Sequence, residues 1–391
     1  MNKRLVAVAV AGAFAAPTAA FAQSSVTISG KFHGGFESLK YSNSAKLNNS
    51  HAGLVDDSSR ILFNVVEDMG GGLQAIGQMD IRFKMDDPGR AASANGTNIG
   101  ATNTGNVASG NTHVGLRSKQ WGRLILGRQD LHYGGRESDL TVRGSLRADS
   151  ISILSYTVAG AIAYASRTQN VVHYTTPNWG GFTLIAAYSS SPLAAEADIG
   201  SGIRKGRAWN LNPNMQGRNW QVGYSYWSAK IDGQNSGTSA LTAAALVDQR
   251  GDRLYGSYAW GGFKLGLAWD KSTTKTPATG AQTSNRTAWS IPLSYTWGAH
   301  SIHAHFNKAR KDRAAANAAL DTKATMFAIS YGYDLSKRTS AALTYARINN
   351  GAASAYDFFT SSSLGLSNNA QSTIAAGEDP RMWGVTLRHQ F

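Results

Sequence analysis

The sequence predicts an all-β protein, a transmembrane antiparallel β-barrel of 16 strands, and three observations predict it. Along most of the chain apolar and hydrophilic residues alternate, so a strand presents one face to an apolar medium and the other to water. The connections fall into two classes, short glycine-rich turns and long polar loops, and the two classes alternate. The last stretch, Arg381 to Phe391, puts Trp383, Val385, Leu387, His389 and Phe391 on one parity and Met382, Gly384, Thr386, Arg388 and Gln390 on the other. A soluble sandwich also hides alternate apolar faces, but it has no use for connections so unequal in length.

Residues 1–22 follow the pattern of a cleaved export signal. Lys3 and Arg4 form a basic start, Leu5 to Ala16 an apolar run, and Ala20-Phe21-Ala22 a small-x-small cleavage site before Gln23. The apolar run is shorter than the roughly 20 residues that a spanning helix requires. The expected division is therefore 1–22 signal and 23–391 barrel.

In order, Val26, Ile28, Phe32 and Phe36 alternate with Thr27, Ser29, Lys31, His33 and Glu37. A polar loop is expected over about 40–58, then a strand with Ile61, Phe63 and Val65 facing one way. Met69 to Gly72 makes a tight turn. The next strand sends Leu73, Ala75, Met79, Ile81 and Phe83 outward and Gln74, Gln78, Asp80, Arg82 and Lys84 inward. Further short turns are expected at Lys119–Gly122, Pro177–Gly181, near Ser228, at Gly261-Gly262, at Gly298-Ala299 and at Leu335–Lys337. Long loops are expected at about 85–110, 130–166, 191–218, 233–251, 271–285, 311–321 and 349–380. The later hairpins repeat the pattern, with Trp220 to Tyr226, Phe263 to Trp269 and Trp289 to Trp297 each carrying an apolar parity. Trp and Tyr sit near strand ends, as an interfacial girdle requires.

Several chemistries are poorly served. Cysteine is absent, which removes disulfides and thiol catalysis. His300, His303 and His305 have no carboxylate or thiol partner in sequence to complete a metal site. Gly223 to Trp227 departs from a nucleophile elbow at its last position, and Met69 to Leu73 lacks the Lys and Ser/Thr of a phosphate loop. No catalytic residue, metal or cofactor is therefore expected. The formal net charge is +14, and loss of Lys3 and Arg4 with the signal would leave +12. In an exported chain that excess points to anionic headgroups or small anions rather than to nucleic acid.

Specific stretches resemble the Gram-negative general porin family, in particular the trimeric porins of beta-proteobacterial and neisserial type. They are Ser25-Val-Thr-Ile-Ser-Gly30, Glu67-Asp-Met-Gly-Gly-Gly-Leu73, Val114-Gly-Leu116, Trp121-Gly-Arg-Leu-Ile-Leu-Gly-Arg-Gln129, Arg167 to Tyr174 leading into Pro177-Asn-Trp-Gly-Gly-Phe182, and a final Phe391. The resemblance implies a homotrimer in the outer membrane, short turns in the periplasm, long loops outside, and a third loop folded into the lumen. That loop would be about 130–166, and its part from Asp149 to Ala165 is unusually apolar.

The implied function is passive diffusion of small hydrophilic solutes with a preference for anions. The alternatives are a substrate-selective porin and a barrel whose loops bind a host surface or partner. Expected partners are outer-membrane lipid and lipopolysaccharide and small anionic or polar solutes. Inward parity offers Lys31, Arg60, Asp80, Arg82, Arg117 and Arg123 as pore-lining groups, and the third loop adds Arg136, Glu137, Asp139, Arg143 and Arg147. Arg128 shares parity with Leu124 and Leu126; it joins the set by resemblance, and a bulge at Gly127 is needed to turn it inward. Phe391 is expected to close and assemble the barrel.

Overall fold

The computed structural model describes residues 24–45, 50–85, 108, 110–132, 144–154, 168–192, 206–231, 247–276, 279–359 and 374–391. The segment expected to be an export signal, most of the loop at 85–110 and the loop segments 133–143, 155–167 and 360–373 lie outside the described residues. Seventeen extended segments follow in chain order. They are β1 (Ser25–Ser42), β2 (Ser50–Asp56), β3 (Arg60–Gly70), β4 (Leu73–Arg82), β5 (Thr112–Ser118), β6 (Gly122–Gln129), β7 (Thr168–Thr175), β8 (Phe182–Ser189), β9 (Arg207–Gln216), β10 (Trp220–Ile231), β11 (Val247–Trp260), β12 (Phe263–Lys275), β13 (Gln282–Trp297), β14 (His300–Ala309), β15 (Ala324–Asp334), β16 (Thr339–Asn350) and β17 (Asp379–Gln390).

β2 and β3 both pair with β1, every later segment pairs antiparallel with the one before it, and β17 returns to β1 with Lys31 opposite Gln390 and Ser42 opposite Asp379, so the sheet closes. Phe391 completes the seam: its N–H donates to the Gly30 carbonyl at 3.2 Å, and its carbonyl accepts from Gly30 N–H at 3.0 Å. The barrel has 16 strands because β2 and β3 are two halves of one. Gly34 stands opposite Asp56 and Lys31 opposite Arg60, so two residues of β1 face the three residues Asp57, Ser58 and Ser59. Ser58 takes φ 68°, Asp57 N–H donates to the His33 carbonyl at 2.7 Å, and His33 N–H donates to Ser59 Oγ at 3.0 Å. The extra residue reverses the alternation. Val65 faces outward below the bulge, whereas Leu54 faces outward above it and Val55 is buried. Residues 50–56 are therefore strand, and β1 runs to Ser42, so the loop expected over 40–58 is shorter than read.

Three other expectations are corrected. β9 occupies the second half of the stretch read as a loop at 191–218. Its outward parity is Trp209, Leu211 and Met215, while Asn210, Asn212 and Asn214 are buried on the other side. Asn and Pro are poor strand formers, and here the ladder and the inward hydrogen bonds override that propensity. β10 runs unbroken through Ser228, which stands opposite Arg250, so the short turn falls instead between Gln216 and Trp220. β12 and β13 likewise extend to Lys275 and begin at Gln282, shortening the loop at 271–285.

The outer face is apolar, as lipid demands: Val26, Ile28, Leu254, Leu267, Leu343 and Val385 are among its exposed side chains. At the short-turn end Trp260, Phe263, Tyr295, Trp297 and His300 stack in succession, with ring centroids 5.6, 4.2, 5.2 and 5.4 Å apart. This is the expected girdle.

The apolar core lies inside the barrel. Ile153 and Leu154 of the third loop and Tyr356 and Phe358 of the last pack with Ala288, Ala309, Met326, Ala328, Ala346, Ile348, Met382 and Leu39 on the inner wall. Small alanines on the inner parity of β13 to β16 leave room for a chain to lie against the wall. Burying Ile153 and Leu154 stabilises this docking by roughly 1.5–3 kcal/mol each. The described part of the apolar stretch that begins at Asp149 thus seats the third loop in the lumen.

Candidate functional site

The site starts from register. On β1, β3 and β4 the inward residues Lys31, Arg60 and Arg82 stand directly opposite one another, Lys31 to Arg60 and Arg60 to Arg82. Like charges side by side on one face of a sheet repel. The carboxylate of Asp80, two positions before Arg82 and buried, answers two of them: Oδ2 lies 3.6 Å from Arg60 and 3.1 Å from Arg82. Lys31 Nζ donates to the Asp57 carbonyl at 3.2 Å. Three cations and one acid therefore form a transverse row on the lumenal wall.

The third loop is tied to the same region by acids. Glu37 on β1 holds Arg147 at 2.9 Å and accepts from Ser145 Oγ at 2.6 Å, with both members of the ion pair buried. Asp57 accepts from Leu146 N–H at 3.1 Å and faces His33 Nδ1 at 3.0 Å. Asp149 caps the short 3-10 turn Ser150–Ser152 by accepting from Ile151 N–H at 3.0 Å. The loop carbonyl of Ala148 meets His305 Nε2 at 2.7 Å on β14. The last loop latches onto it, Phe359 N–H donating to Ser152 Oγ at 2.8 Å. Arg147, expected among the pore-facing cations, thus serves as an anchor whose charge is matched.

The start of the loop meets the far wall. His132 is buried with Nδ1 2.8 Å from Ser225 Oγ on β10. Burial pushes its imidazole well below the ordinary range, and the charge of Arg253 adds to this. Arg253 on β11 pairs with Asp270, directly opposite on β12, through two contacts of 2.8 Å. Sequence reading missed Arg253. The signal was present, since Leu254 is exposed and its neighbour must face in.

Of the remaining expected residues, Arg117 and Arg123 are a cross-strand pair at the short-turn end, away from the row. Arg128 occupies a register shift between Gly127 and Gln129, and Gly127 takes φ 146°, so the bulge its inward turn requires is present. Arg136, Glu137, Asp139 and Arg143 lie outside the described residues. Glu37 and Asp270 are each matched by an arginine, while in the row itself Lys31, Arg60 and Arg82 stand beside the carboxylate of Asp80. Fixed charge of one sign on a narrow water-filled wall selects the ions that pass it.

Comparison with known proteins agrees with this architecture. The family described as Gram-negative porin matches residues 7–353. An outer membrane porin protein of Bordetella pertussis is 27% identical over 286 residues, covering 70% of each chain. The major outer membrane protein P.IB of Neisseria lactamica is 25% identical over 373 residues, covering 94% of this chain and 99% of its own. Among solved structures, the anion-selective porin from Comamonas acidovorans superposes with a TM-score of 0.73 at 20% identity, covering 94% of this chain and 100% of that one. The trimer form of OmpT, an outer membrane protein of Vibrio cholerae, gives 0.64 at 13% identity, covering 94% and 99%. With its closed barrel, lumenal loop and match over most of its length, the chain belongs to the Gram-negative porin family and is an outer-membrane diffusion channel.

Proposed function

We propose that this porin passes small anions in preference to cations, by downhill diffusion through water, with no bond made or broken and no cofactor. The observation that carries the reading is the row Lys31, Arg60 and Arg82, three cations in register, two of them bridged by the carboxylate of Asp80. The low-dielectric wall strengthens the field of such a row, so anions concentrate in the lumen and cations are depleted. The Comamonas relative is itself titled an anion-selective porin, which supports the same direction. The working form is a homotrimer, by analogy with the Vibrio protein solved as a trimer, and it sits among outer-membrane lipid and lipopolysaccharide. Residues 1–22 are removed on export, and the cations from Arg136 to Arg143 join the constriction. The test is the reversal potential of the refolded protein in a planar bilayer under a potassium chloride gradient. A sign set by chloride is the expected result, and a sign set by potassium would end the reading.

A further inference from the structure

The outer wall carries a basic row of its own. Lys40 on β1, Arg381 on β17 and Arg347 on β16 stand directly opposite one another, Lys40 to Arg381 and Arg381 to Arg347. All three are exposed, on the parity of Phe36, Val385 and Leu343, near the strand ends that lead into the long loops. Charge on a lipid-facing wall is tolerated only near the interface. The three side chains make no hydrogen bond or ion pair with any described residue. Ser50 and Phe327, which flank the row across the ladder, are uncharged. The one acid of β17, Asp379, is buried and accepts from Asn350 N–H at 2.7 Å and from Asn43 Nδ2 at 3.0 Å. Like charges side by side on one face repel, so an anion from outside the chain relieves the row.

The rungs beneath it follow the profile of a lipid. About 7 Å down the wall Tyr345 stands opposite Trp383 and Trp383 opposite Ser38, and the next rung is Leu343, Val385 and Phe36. Trp383 and Tyr345 are exposed, and the Trp383 ring lies 6.1 Å from that of Phe36. Cation, then aromatic, then aliphatic surface is the order in which a lipid presents phosphate, headgroup boundary and acyl chain.

We infer that this strip binds a phosphate-bearing lipid of the outer leaflet, with Lys40, Arg381 and Arg347 on its phosphates and Trp383, Leu343 and Val385 beside its acyl chains. The inference rests on the reading that sets the barrel among lipopolysaccharide, and it names the place where that lipid is held. Guanidinium forks suit phosphate oxygens in pairs, and each cation beside an anionic headgroup adds to the affinity.

The test titrates the full folded protein in neutral detergent micelles with diphosphorylated lipid A, and native mass spectrometry counts the lipid retained. Saturable retention is expected, and lipid A stripped of both phosphates should be held far more weakly. In R347Q/R381Q the half-saturating concentration of diphosphorylated lipid A should rise about tenfold or more. R347K/R381K should lose less, because it keeps the charge without the fork. Both variants should keep the compact gel mobility and the reversal potential of the unsubstituted channel, because the row faces away from the lumen. Inorganic phosphate at equal concentration should not displace the lipid; displacement would make the row a site for free phosphate and overturn the lipid surface. Unchanged retention in R347Q/R381Q would overturn it as well. So would loss of oligomer mobility in that variant without lipid, which would make the row a contact between copies of the chain. An unsubstituted protein that takes up neither form of lipid A would instead overturn the lipopolysaccharide reading itself, so the two failures are distinguishable.

Discussion

The guanidinium of Arg147 lies 2.9 Å from the carboxylate of Glu37, and both side chains are buried, so one ion pair fastens the lumenal loop to the first strand. Removing one partner of a buried pair strands the other charge, at a cost on the order of 3–5 kcal/mol. In Arg147→Ala that cost falls on loop docking, because the barrel ladders do not involve the side chain. The expected outcome is a larger and noisier single-channel conductance with little change in the barrel's thermal unfolding. Glu37→Gln combined with Arg147→Met, which removes both charges, should restore much of the quiet behaviour. Unchanged conductance in Arg147→Ala would show that the pair does not hold the loop.

Leu154 makes the same point without charge. It is fully buried against inner-wall alanines and Met326, and Leu154→Ala is expected to cost about 2–5 kcal/mol. The loss should appear as faster proteolysis within the third loop of the folded protein. A cleavage rate equal to that of the unsubstituted protein would place the docking energy elsewhere.

The constriction row predicts opposite signs for opposite charges. Arg60→Gln and Arg82→Gln each remove a cation and should move the reversal potential toward cations. Asp80→Asn removes the one acid that bridges them and should move it toward anions. All three differences should shrink in 1 M salt, where the screening length is about 3 Å. If Asp80→Asn moved the potential in the same direction as Arg60→Gln, the row would not set selectivity.

How much of this was legible follows from alternation. Strands that keep one phase, such as Leu73, Ala75 and Met79 against Gln74, Gln78 and Asp80, were read directly from the sequence, as were the girdle and all but one of the short turns. Asp57 was hidden because one extra residue reverses the phase, and a sequence read in a single phase turns the strand above it into a loop. β9 was hidden because a water-facing row of asparagines resembles a loop in composition. The lumenal row was half legible. Parity placed Lys31, Arg60 and Arg82 on the inner face, but only register set them side by side and moved Arg117 and Arg123 to the far end. The mated acids were beyond reach, since Glu37 and Arg147 are 110 positions apart and meet only when the loop folds in.

The seam gives the sharpest structural test. A Cβ on Gly30 would collide with the Arg60 carbonyl oxygen and would meet the Phe391 ring at 2.7 Å. The ring belongs to a side chain and has some freedom. The carbonyl belongs to β3, and moving it breaks the ladder that sets Lys31 opposite Arg60. Gly30→Ala is therefore expected to cost about 1–3 kcal/mol and to lower the temperature at which the folded barrel loses its compact gel mobility. Phe391→Ala should cost less, about 1 kcal/mol, the worth of its ring pairing with Phe32 at 5.6 Å between centroids. The double variant separates the two contacts. If the ring were the obstacle, removing it would rescue Gly30→Ala; because the backbone carbonyl remains, the double variant should unfold at or below the temperature of Gly30→Ala alone.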